Sequence, residues 1–358
     1  MVQSLTGRQV PVAVSVVSPA PRDVWRRVVE SDPYALVTQT PEWLDAMVEV
    51  TGSIDASRWY LTEDGRDLVL PLVRRRFGGS RALHSSFSEG WDIGGILAPG
   101  GLKESEARLV MADLAEQPAL RILLRGNPLL ARPWCAGAAE VGASARPRLA
   151  HVVDLAGGSD AVWRDRMASQ ARRGVRRARK LGVEVDRDQA GELLPAFYDM
   201  LLQSFDRWAA RQHEPKWMTR LRGTRRDPIS KFEVIASHLG SAYRLYVARH
   251  EGRPAAAVLV VLGANAQYLW GAMDAEVGGR TNANDLLHWT AIQDACAAGC
   301  ATYHMGESAE GSTLARYKEK LGGRPVSYAD YSIERLPVTR MDRALRGVVK
   351  RAIGFRDV

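Results

Sequence analysis

One short segment combines residue types that could assist a group-transfer reaction. The sequence GSTLARYKEKLGG, residues 311–323, places Tyr317 beside Lys318 in a short predicted helix that ends at a glycine pair. The residues able to cap this helix are Ser308, Ser312 and Thr313. We expect Lys318 to lie in the early turns, where an ammonium near free backbone amides could stabilise a developing oxyanion or a departing oxygen. The alternative is a solvated surface lysine.

A second candidate for the chemistry is an acidic residue in a glycine-rich passage. The sequence SEGWDIGG places Trp91 and Asp92 in a turn after a predicted hairpin. The Asp92 carboxylate could orient an attacking amine or accept its proton, directly or through a water. Aspartate next to glycine is also a common turn residue, so a purely structural role is the alternative.

Basic and aromatic residues supply two further candidate binding surfaces. Residues 163–180 form an arginine-rich predicted helix in which Arg172, Arg173 and Arg176 could bind phosphates, although most basic helix faces are simply solvated. Tyr268 and Trp270 alternate with Leu269, which predicts that both aromatic rings lie on one face of a strand. They could line an acyl or acceptor pocket, and core packing is the alternative.

The composition is that of a soluble globular protein with an excess of basic residues. The 358 residues include 49 Lys plus Arg against 41 Asp plus Glu, a net charge of +8, which favours an anionic partner such as nucleic acid or a nucleotide. Three cysteines without metal-ligand spacing indicate neither a disulfide framework nor a metal site, and we expect a cytoplasmic location. No apolar run reaches the ~18 residues of a membrane span.

The chain also shows signs of internal duplication. Residues 58–73 and 244–261 each read as an aromatic-containing strand, an acidic-Gly-Arg turn and an apolar strand, which predicts two hairpins in two α/β units. We place the boundary in the small, proline-containing stretch before residue 149, so the predicted domains are 1–148 and 149–336. Residues 337–358 are predicted to form a basic amphipathic helix. We expect it to dock onto the protein itself, with contact to an anionic membrane or to tRNA as the alternatives.

Several of these segments together resemble the FemABX-type proteins. The sequence ARRGVRRARKLGVEV resembles the opening of that family's second domain, and YHMGESAEGSTLARYKEKLGGRPVSY resembles its C-terminal signature. The resemblance implies an α/β (α+β) fold of two tandem GNAT-like domains, each a central mixed sheet flanked by helices. It assigns the characteristic lysine to Lys318 and not to Lys320, which lies about 200° away around a helix.

The resemblance also implies roles for residues near Lys318. Asp92 and Trp91 fall where the family places part of its acceptor site, and Tyr317 would pack beside the lysine or contact the acyl group. Glu307 stands where the family often has a basic residue, and it could hold the ammonium or the substrate amine. We further predict that Ser308 and Arg316 contact the substrate.

The function implied by the resemblance is transfer of an aminoacyl group from aminoacyl-tRNA to an amine-bearing small-molecule or peptide acceptor, without a cofactor. An acyl-CoA-dependent N-acyltransferase is the alternative. The segment EVGGRTNANDLL, which should hold the CoA pyrophosphate, lacks the Arg/Gln-x-x-Gly-x-Gly/Ala pattern. A non-catalytic RNA- or lipid-binding protein is a second alternative.

Overall fold

A computed structural model describes residues 13–76, 82–86 and 90–335 of the chain. The predicted C-terminal helix after residue 336 lies outside these residues. The first half of the chain contains eight of the described strands: Ala13–Val17 (β1), Ile54–Asp55 (β2), Arg58–Thr62 (β3), Asp67–Leu70 (β4), Val73–Arg76 (β5), Ala82–Ser86 (β6), Ala119–Arg125 (β7) and Ser144–Asp154 (β8). Its described helices are Arg22–Ser31 (α1), Pro41–Thr51 (α2), Glu104–Glu116 (α3) and Trp134–Glu140 (α4).

The second half contains the six remaining described strands: Glu184–Asp188 (β9), Tyr243–His250 (β10), Arg253–Val261 (β11), Ala266–Met273 (β12), Thr302–Glu307 (β13) and Arg324–Glu334 (β14). Its described helices are Gly158–Ala161 (α5), Ser169–Lys180 (α6), Leu194–Gln212 (α7), Lys216–Arg226 (α8), Ile229–Leu239 (α9), Val277–Thr281 (α10), Ala283–Ala297 (α11) and Thr313–Lys320 (α12).

One large mixed sheet passes through both halves of the chain. Within the described residues its strand order is β2-β5-β6-β7-β14-β8-β13-β12-β11-β10-β9. The last strand, β14, lies between β7 and β8 and pairs antiparallel with both. The sheet of the first half is therefore joined to that of the second half by hydrogen bonds and not by a loop.

The predicted boundary at residue 148 falls inside a strand of this sheet. The strand β8 runs without a break from Ser144 to Asp154, and its early residues pair with β14 as far as Ser144 opposite Ser332. The small and polar side chains that suggested a linker are accommodated because the strand's first four residues are solvent-exposed. The residues around the boundary are thus part of the sheet.

The two predicted hairpins are confirmed, but they occupy different positions. The strands β3 and β4 pair antiparallel and join β1 in a separate three-stranded sheet. The strands β10 and β11 pair antiparallel inside the large sheet, where their side chains are almost fully buried. The similarity of the sequences therefore reflects a common local structure in two different surroundings.

The apolar core is shared between the halves. One cluster of buried residues joins Trp25 and Trp43 of the first half to Phe197, Phe232 and Tyr243 of the second. A second cluster lies within the second half, and a third consists of first-half residues together with Tyr331 of β14. The faces of α2 and α9 that meet across the shared cluster hold the two halves in one orientation.

The predicted arginine-rich helix over residues 163–180 is interrupted. A π-helical turn, Val162–Arg166, is followed by extended backbone at Met167, and α6 begins at Ser169. The Ala168 amide donates a hydrogen bond to the Lys320 carbonyl (2.9 Å), which ties the start of α6 to the end of α12. The break therefore positions the helix that carries Lys318.

Candidate active site

The side chain of Lys318 is buried and its ammonium lies at the end of strand β13, so the alternative of a solvated surface lysine is wrong. Its side chain is 3% exposed, and its Nζ donates hydrogen bonds to the carbonyls of Gly306 (3.1 Å) and Glu307 (2.7 Å). Desolvation lowers the pKa of Lys318 to about 8, against the opposing effect of the Asp92 and Glu307 carboxylates. The ammonium can therefore lose or share a proton near neutral pH.

The expected position of Lys318 within its helix is wrong. The helix α12 begins at Thr313 with Ser312 as its side-chain cap (3.1 Å to the Ala315 amide), and it ends after eight residues. Lys318 consequently lies in the last turn, and its ammonium contacts strand carbonyls and not helix amides. The short helix places the lysine by bringing its stem back over the end of β13.

Asp92 comes from the first half of the chain and approaches the same place. It is half-buried and has a positive φ of 59°, a conformation uncommon for a non-glycine residue. The pKa of Asp92 is raised to about 6, mainly by burial and in addition by Glu307, against the opposing effect of Arg125 and Lys318. The fold therefore brings three predicted site residues within electrostatic range of one another: Asp92, Glu307 and Lys318.

Charged residues that sequence reasoning missed surround this group. Glu307 accepts from Arg148 (3.0 Å) and from the Tyr328 hydroxyl (3.3 Å). Asp330 is buried and pairs with Arg125 (3.2 Å) and Arg148 (2.8 Å). These residues lie on β7, β8 and β14, and only the insertion of β14 brings them together, so no local pattern in the sequence could have indicated them.

The remaining residues predicted around Lys318 are placed as follows. The ring of Tyr317 contacts His288 (centroids 5.9 Å apart), and the Lys320 ammonium lies 4.6 Å from its centroid. The Ser308 hydroxyl bonds His151 Nδ1 (3.0 Å). Arg316 is exposed on α12. The structure therefore brings Tyr317 and Ser308 to the surroundings of the lysine and leaves Arg316 at the surface.

The prediction that Tyr268 and Trp270 share a face of β12 is wrong. A bulge shifts the pairing of β11 with β12 between Leu259 opposite Trp270 and Val260 opposite Tyr268. Tyr268 consequently packs with the second-half core, whereas Trp270 packs with the shared core against Trp43. The extra residue reverses the alternation on which the prediction depended.

The arginines of α6 have different surroundings. Arg172 donates to three carbonyls at the end of the preceding turn, those of Trp163, Arg164 and Met167. The guanidinium of Arg176 lies over the Trp163 ring, 5.7 Å from its centroid. Arg173 faces an open groove, so of the three predicted phosphate ligands it is the one that the structure places in a concave surface.

This basic groove is formed by α6, the start of α11 and the end of α12. It has a volume of about 370 Å³ and is lined by Gln170, Arg173, Gly174, Arg177, Asn282, Asp285 and Lys320. Lys320 pairs with Asp285 (2.9 Å), while Arg173 and Arg177 have exposed side chains. The helices approach closely at Gly174, where a Cβ atom would lie 2.0 Å from the Asp285 carboxylate.

Comparison with family models identifies a match in the second half of the chain. Residues 165–319 match the family model described as the acetyltransferase (GNAT) domain. No curated protein matches the chain. In the part of the chain that the structure describes, no helix has the length and apolar character needed to cross a membrane.

Solved structures extend the similarity to the whole chain. A crystal structure of FemX has 14% identity and a TM-score of 0.63 over 92% of this chain and 99% of that one. The C-terminal domain of a putative lysylphosphatidylglycerol synthetase from Agrobacterium fabrum has 14% identity and a TM-score of 0.51 over 92% of this chain and 95% of that one. A conserved protein of unknown function from Bacteroides thetaiotaomicron has 7% identity and a TM-score of 0.53, over 87% and 97% of the two chains. The fold is thus the FemX-like GNAT fold that the sequence resemblance implied.

Proposed function

We propose that this protein transfers an aminoacyl group from aminoacyl-tRNA to an amine, forming an amide bond. The observation that carries the proposal is the meeting of Asp92, Glu307 and buried Lys318 at the end of β13. Such a site provides a proton acceptor and a cation, which are the groups that ester aminolysis requires. FemX and the putative lysylphosphatidylglycerol synthetase share the fold, which is consistent with this choice.

The proposed reaction assigns a separate task to each charged residue. The acceptor nitrogen attacks the ester carbonyl carbon, and the Asp92 carboxylate takes the proton that the nitrogen loses. The Lys318 ammonium stabilises the tetrahedral oxyanion and protonates the ribose oxygen as the carbon–oxygen bond breaks. The acceptor amine enters neutral, having released its extra proton to solvent, and Glu307, held by Arg148 and Tyr328, accepts a hydrogen bond from it.

The basic groove supports a phosphate-bearing donor. Arg173, Arg177 and Lys320 line it, and Lys320 is only two residues from Lys318. Guanidinium groups bind phosphate oxygens bidentately, and the groove opens beside the helix that carries the catalytic lysine. Phosphates bound in the groove would lie against the same short helix as Lys318, on the side from which Lys320 projects. No cofactor is required.

Acyl-CoA is the alternative donor, and the GNAT family match favours it. The groove adjoins the start of α11, and its lining includes Asn282 from the segment that lacks the expected glycine pattern. The second alternative is a non-catalytic RNA-binding protein. The burial of Lys318 argues against this alternative. Removing an ammonium from water destabilises the fold, and RNA binding at the surface would not require a buried cation.

A donor assay tests the proposal. Purified protein is incubated with a charged tRNA pool or with acyl-CoA, each with and without an amine acceptor, and amide formation is measured. Turnover with charged tRNA supports the proposal, turnover with acyl-CoA alone supports the first alternative, and tRNA binding without turnover supports the second.

The variant Lys318→Met tests the residue that carries the mechanism. We expect its kcat to fall by about two orders of magnitude, because a cation that acts only in the transition state affects kcat and kcat/KM together. Lys180→Met removes an exposed lysine of α6 outside the groove and is the matched control. Near-normal turnover of Lys318→Met with an unchanged circular dichroism spectrum would contradict the mechanism.

A further inference from the structure

Lys231 is a fully buried lysine to which the proposed reaction gives no task. It lies on α9, in the second half of the chain, and its side chain is 0% exposed. Its Nζ donates to the Asp227 carboxylate (2.8 Å) and to the Gly90 carbonyl of the first half. Moving a lysine ammonium from water into the protein interior costs free energy of folding. The burial of Lys231 therefore calls for a functional explanation.

Two tryptophans enclose the ammonium. The Nζ of Lys231 is 4.6 Å from the ring centroid of Trp91 and 4.7 Å from that of Trp270. Trp91 belongs to the turn that carries Asp92, and Trp270 belongs to β12. A cation between two indole faces is attracted by both, most strongly where water is excluded.

The contacts hold the turn on both sides of Trp91. Lys231 binds the Gly90 carbonyl, and the indole Nε1 of Trp43 donates to the Trp91 carbonyl (3.2 Å). The next residue is Asp92, whose φ of 59° is unfavourable for a non-glycine residue. Such a conformation persists only where the surrounding structure determines it, and these two hydrogen bonds supply that restraint.

We propose that Lys231 is a positioning residue for Asp92: its ammonium, held between Trp91 and Trp270, fixes the Gly90 carbonyl and thereby the orientation of the carboxylate. The inference deepens the proposed function and rests on it for its kinetic consequences. It also connects the halves, because α9 of the second half orients a proton acceptor supplied by the first.

The charged surroundings of Asp92 define what the loss of Lys231 should change. The titratable groups that interact with the Asp92 carboxylate include Arg125 on β7, Glu307 on β13, Lys318 on α12, Tyr328 on β14 and Lys231 on α9. Lys231 itself is accompanied by Asp227 and Arg226. Removing the Lys231 charge leaves Asp92 with less positive charge nearby, and its carboxylate becomes easier to protonate.

The variant Lys231→Met provides the test, since methionine fills the space between the indoles and packs well against aromatic rings. We expect kcat to fall about tenfold or more while the KM of the donor stays unchanged, because a misplaced acceptor affects the chemical step. The acid limb of the pH–rate profile should move upward by about half a pH unit. Lys231→Arg retains the charge and should restore the limb.

A second variant separates position from charge. Trp43→Phe removes the hydrogen bond to the Trp91 carbonyl and leaves the ammonium in place. It should lower kcat without moving the acid limb. If both variants lose only thermal stability and keep the wild-type kcat and pH profile, Lys231 is a structural residue and the inference is wrong.

An NMR titration of the Asp92 carboxyl carbon, assigned by comparison with Asp92→Asn, makes the test independent of the substrate. The inference predicts a higher midpoint in Lys231→Met and a wild-type midpoint in Lys231→Arg. An unshifted midpoint in Lys231→Met would overturn the inference even if the transferase activity is found. A shifted midpoint in a protein that is inactive with both donors would instead sustain the inference and refute the proposed function.

Discussion

The ionisable side chains of Asp92 and Lys318 are displaced towards neutrality in opposite directions, which defines a pH range for activity. The pKa of Asp92 is raised to about 6 and that of Lys318 is lowered to about 8, mainly by burial. Below the first value Asp92 is protonated and cannot accept a proton. Above the second value Lys318 has lost its charge. We expect kcat to follow a bell-shaped pH profile with limbs near these values, measured by initial rates at saturating substrate.

The same residues provide an internal check on that profile. Lys318 lowers the pKa of Asp92 through its charge. The residual activity of Lys318→Met should therefore have an acid limb above the wild-type value, and its alkaline limb should be lost. An unchanged profile in Lys318→Met would mean that the limbs belong to other groups.

Asp92 should also reduce the stability of the fold above its pKa. Its ordinary pKa of 3.8 rises to about 6 on folding, so the folded state holds a proton more tightly and stability falls as the pH rises between these values. Asp92→Asn should raise the free energy of unfolding by about 1–3 kcal/mol at pH 7, since a unit of pKa corresponds to about 1.4 kcal/mol. Asparagine also tolerates a positive φ.

Denaturation in urea at several pH values measures this effect. The gain should shrink as the pH is lowered to about 3, below the ordinary pKa of 3.8, where Asp92 is protonated in both states. Asp199→Asn, at an exposed position of α7, is the control and should change stability little at any pH. A gain from Asp92→Asn that does not depend on pH would assign the effect to backbone conformation alone.

Among the structural elements, α6 is the one whose role can be tested by charge. Arg173 and Arg177 line the groove, whereas Arg179 and Lys180 are exposed on the same helix outside it. The double variant Arg173→Gln/Arg177→Gln should weaken tRNA binding and reduce its salt slope by about one unit per lost phosphate contact. Arg179→Gln/Lys180→Gln removes the same charge and should leave the slope nearly unchanged. Equal slopes in the two variants would identify α6 as a solvated face.

The strands and helices with strong patterns could be predicted from the sequence, and the departures have local causes. The helix α7 and the hairpin β10–β11 follow their apolar periodicity closely. The bulge in β12 places Tyr268 and Trp270 on opposite faces of the strand. It could not be predicted, because one extra residue does not change the composition of a strand. The break before α6 is accompanied by a hydrogen bond from Ala168 to Lys320, which is about 150 residues further along the chain, so no local pattern predicts it.

The site was predictable where a family signature exists and unpredictable where the fold alone assembles it. Lys318 and Asp92 were found through the resemblance and the chemistry of their side chains. Arg125, Arg148 and Asp330 stand in ordinary strand sequences, and their ion pairs form only because β14 lies between β7 and β8. Lys231 had no signal, since a lysine in an amphipathic helix is normally exposed.

For the whole molecule, the continuous sheet and shared core predict that the halves unfold together. The core that contains Trp25 and Trp43 is completed by Phe197 and Phe232, so separation would expose a large apolar surface. We expect one transition, with coincident midpoints by circular dichroism and tryptophan fluorescence. A fragment of residues 149–335 should fail to fold cooperatively. Two separate transitions, or a stable fragment, would show that the halves are independent.

The central position of β14 has a consequence for the protein during its synthesis on the ribosome. The strand lies in the middle of the sheet, yet it is the last of the described strands to be translated. A nascent chain that has just produced Lys318 still has the edges of β7 and β8 unpaired, and open strand edges invite association with other chains. Asp330, which neutralises Arg125 and Arg148, also arrives with this strand. The candidate active site is therefore completed only when β14 has been synthesised and has paired with its two neighbours.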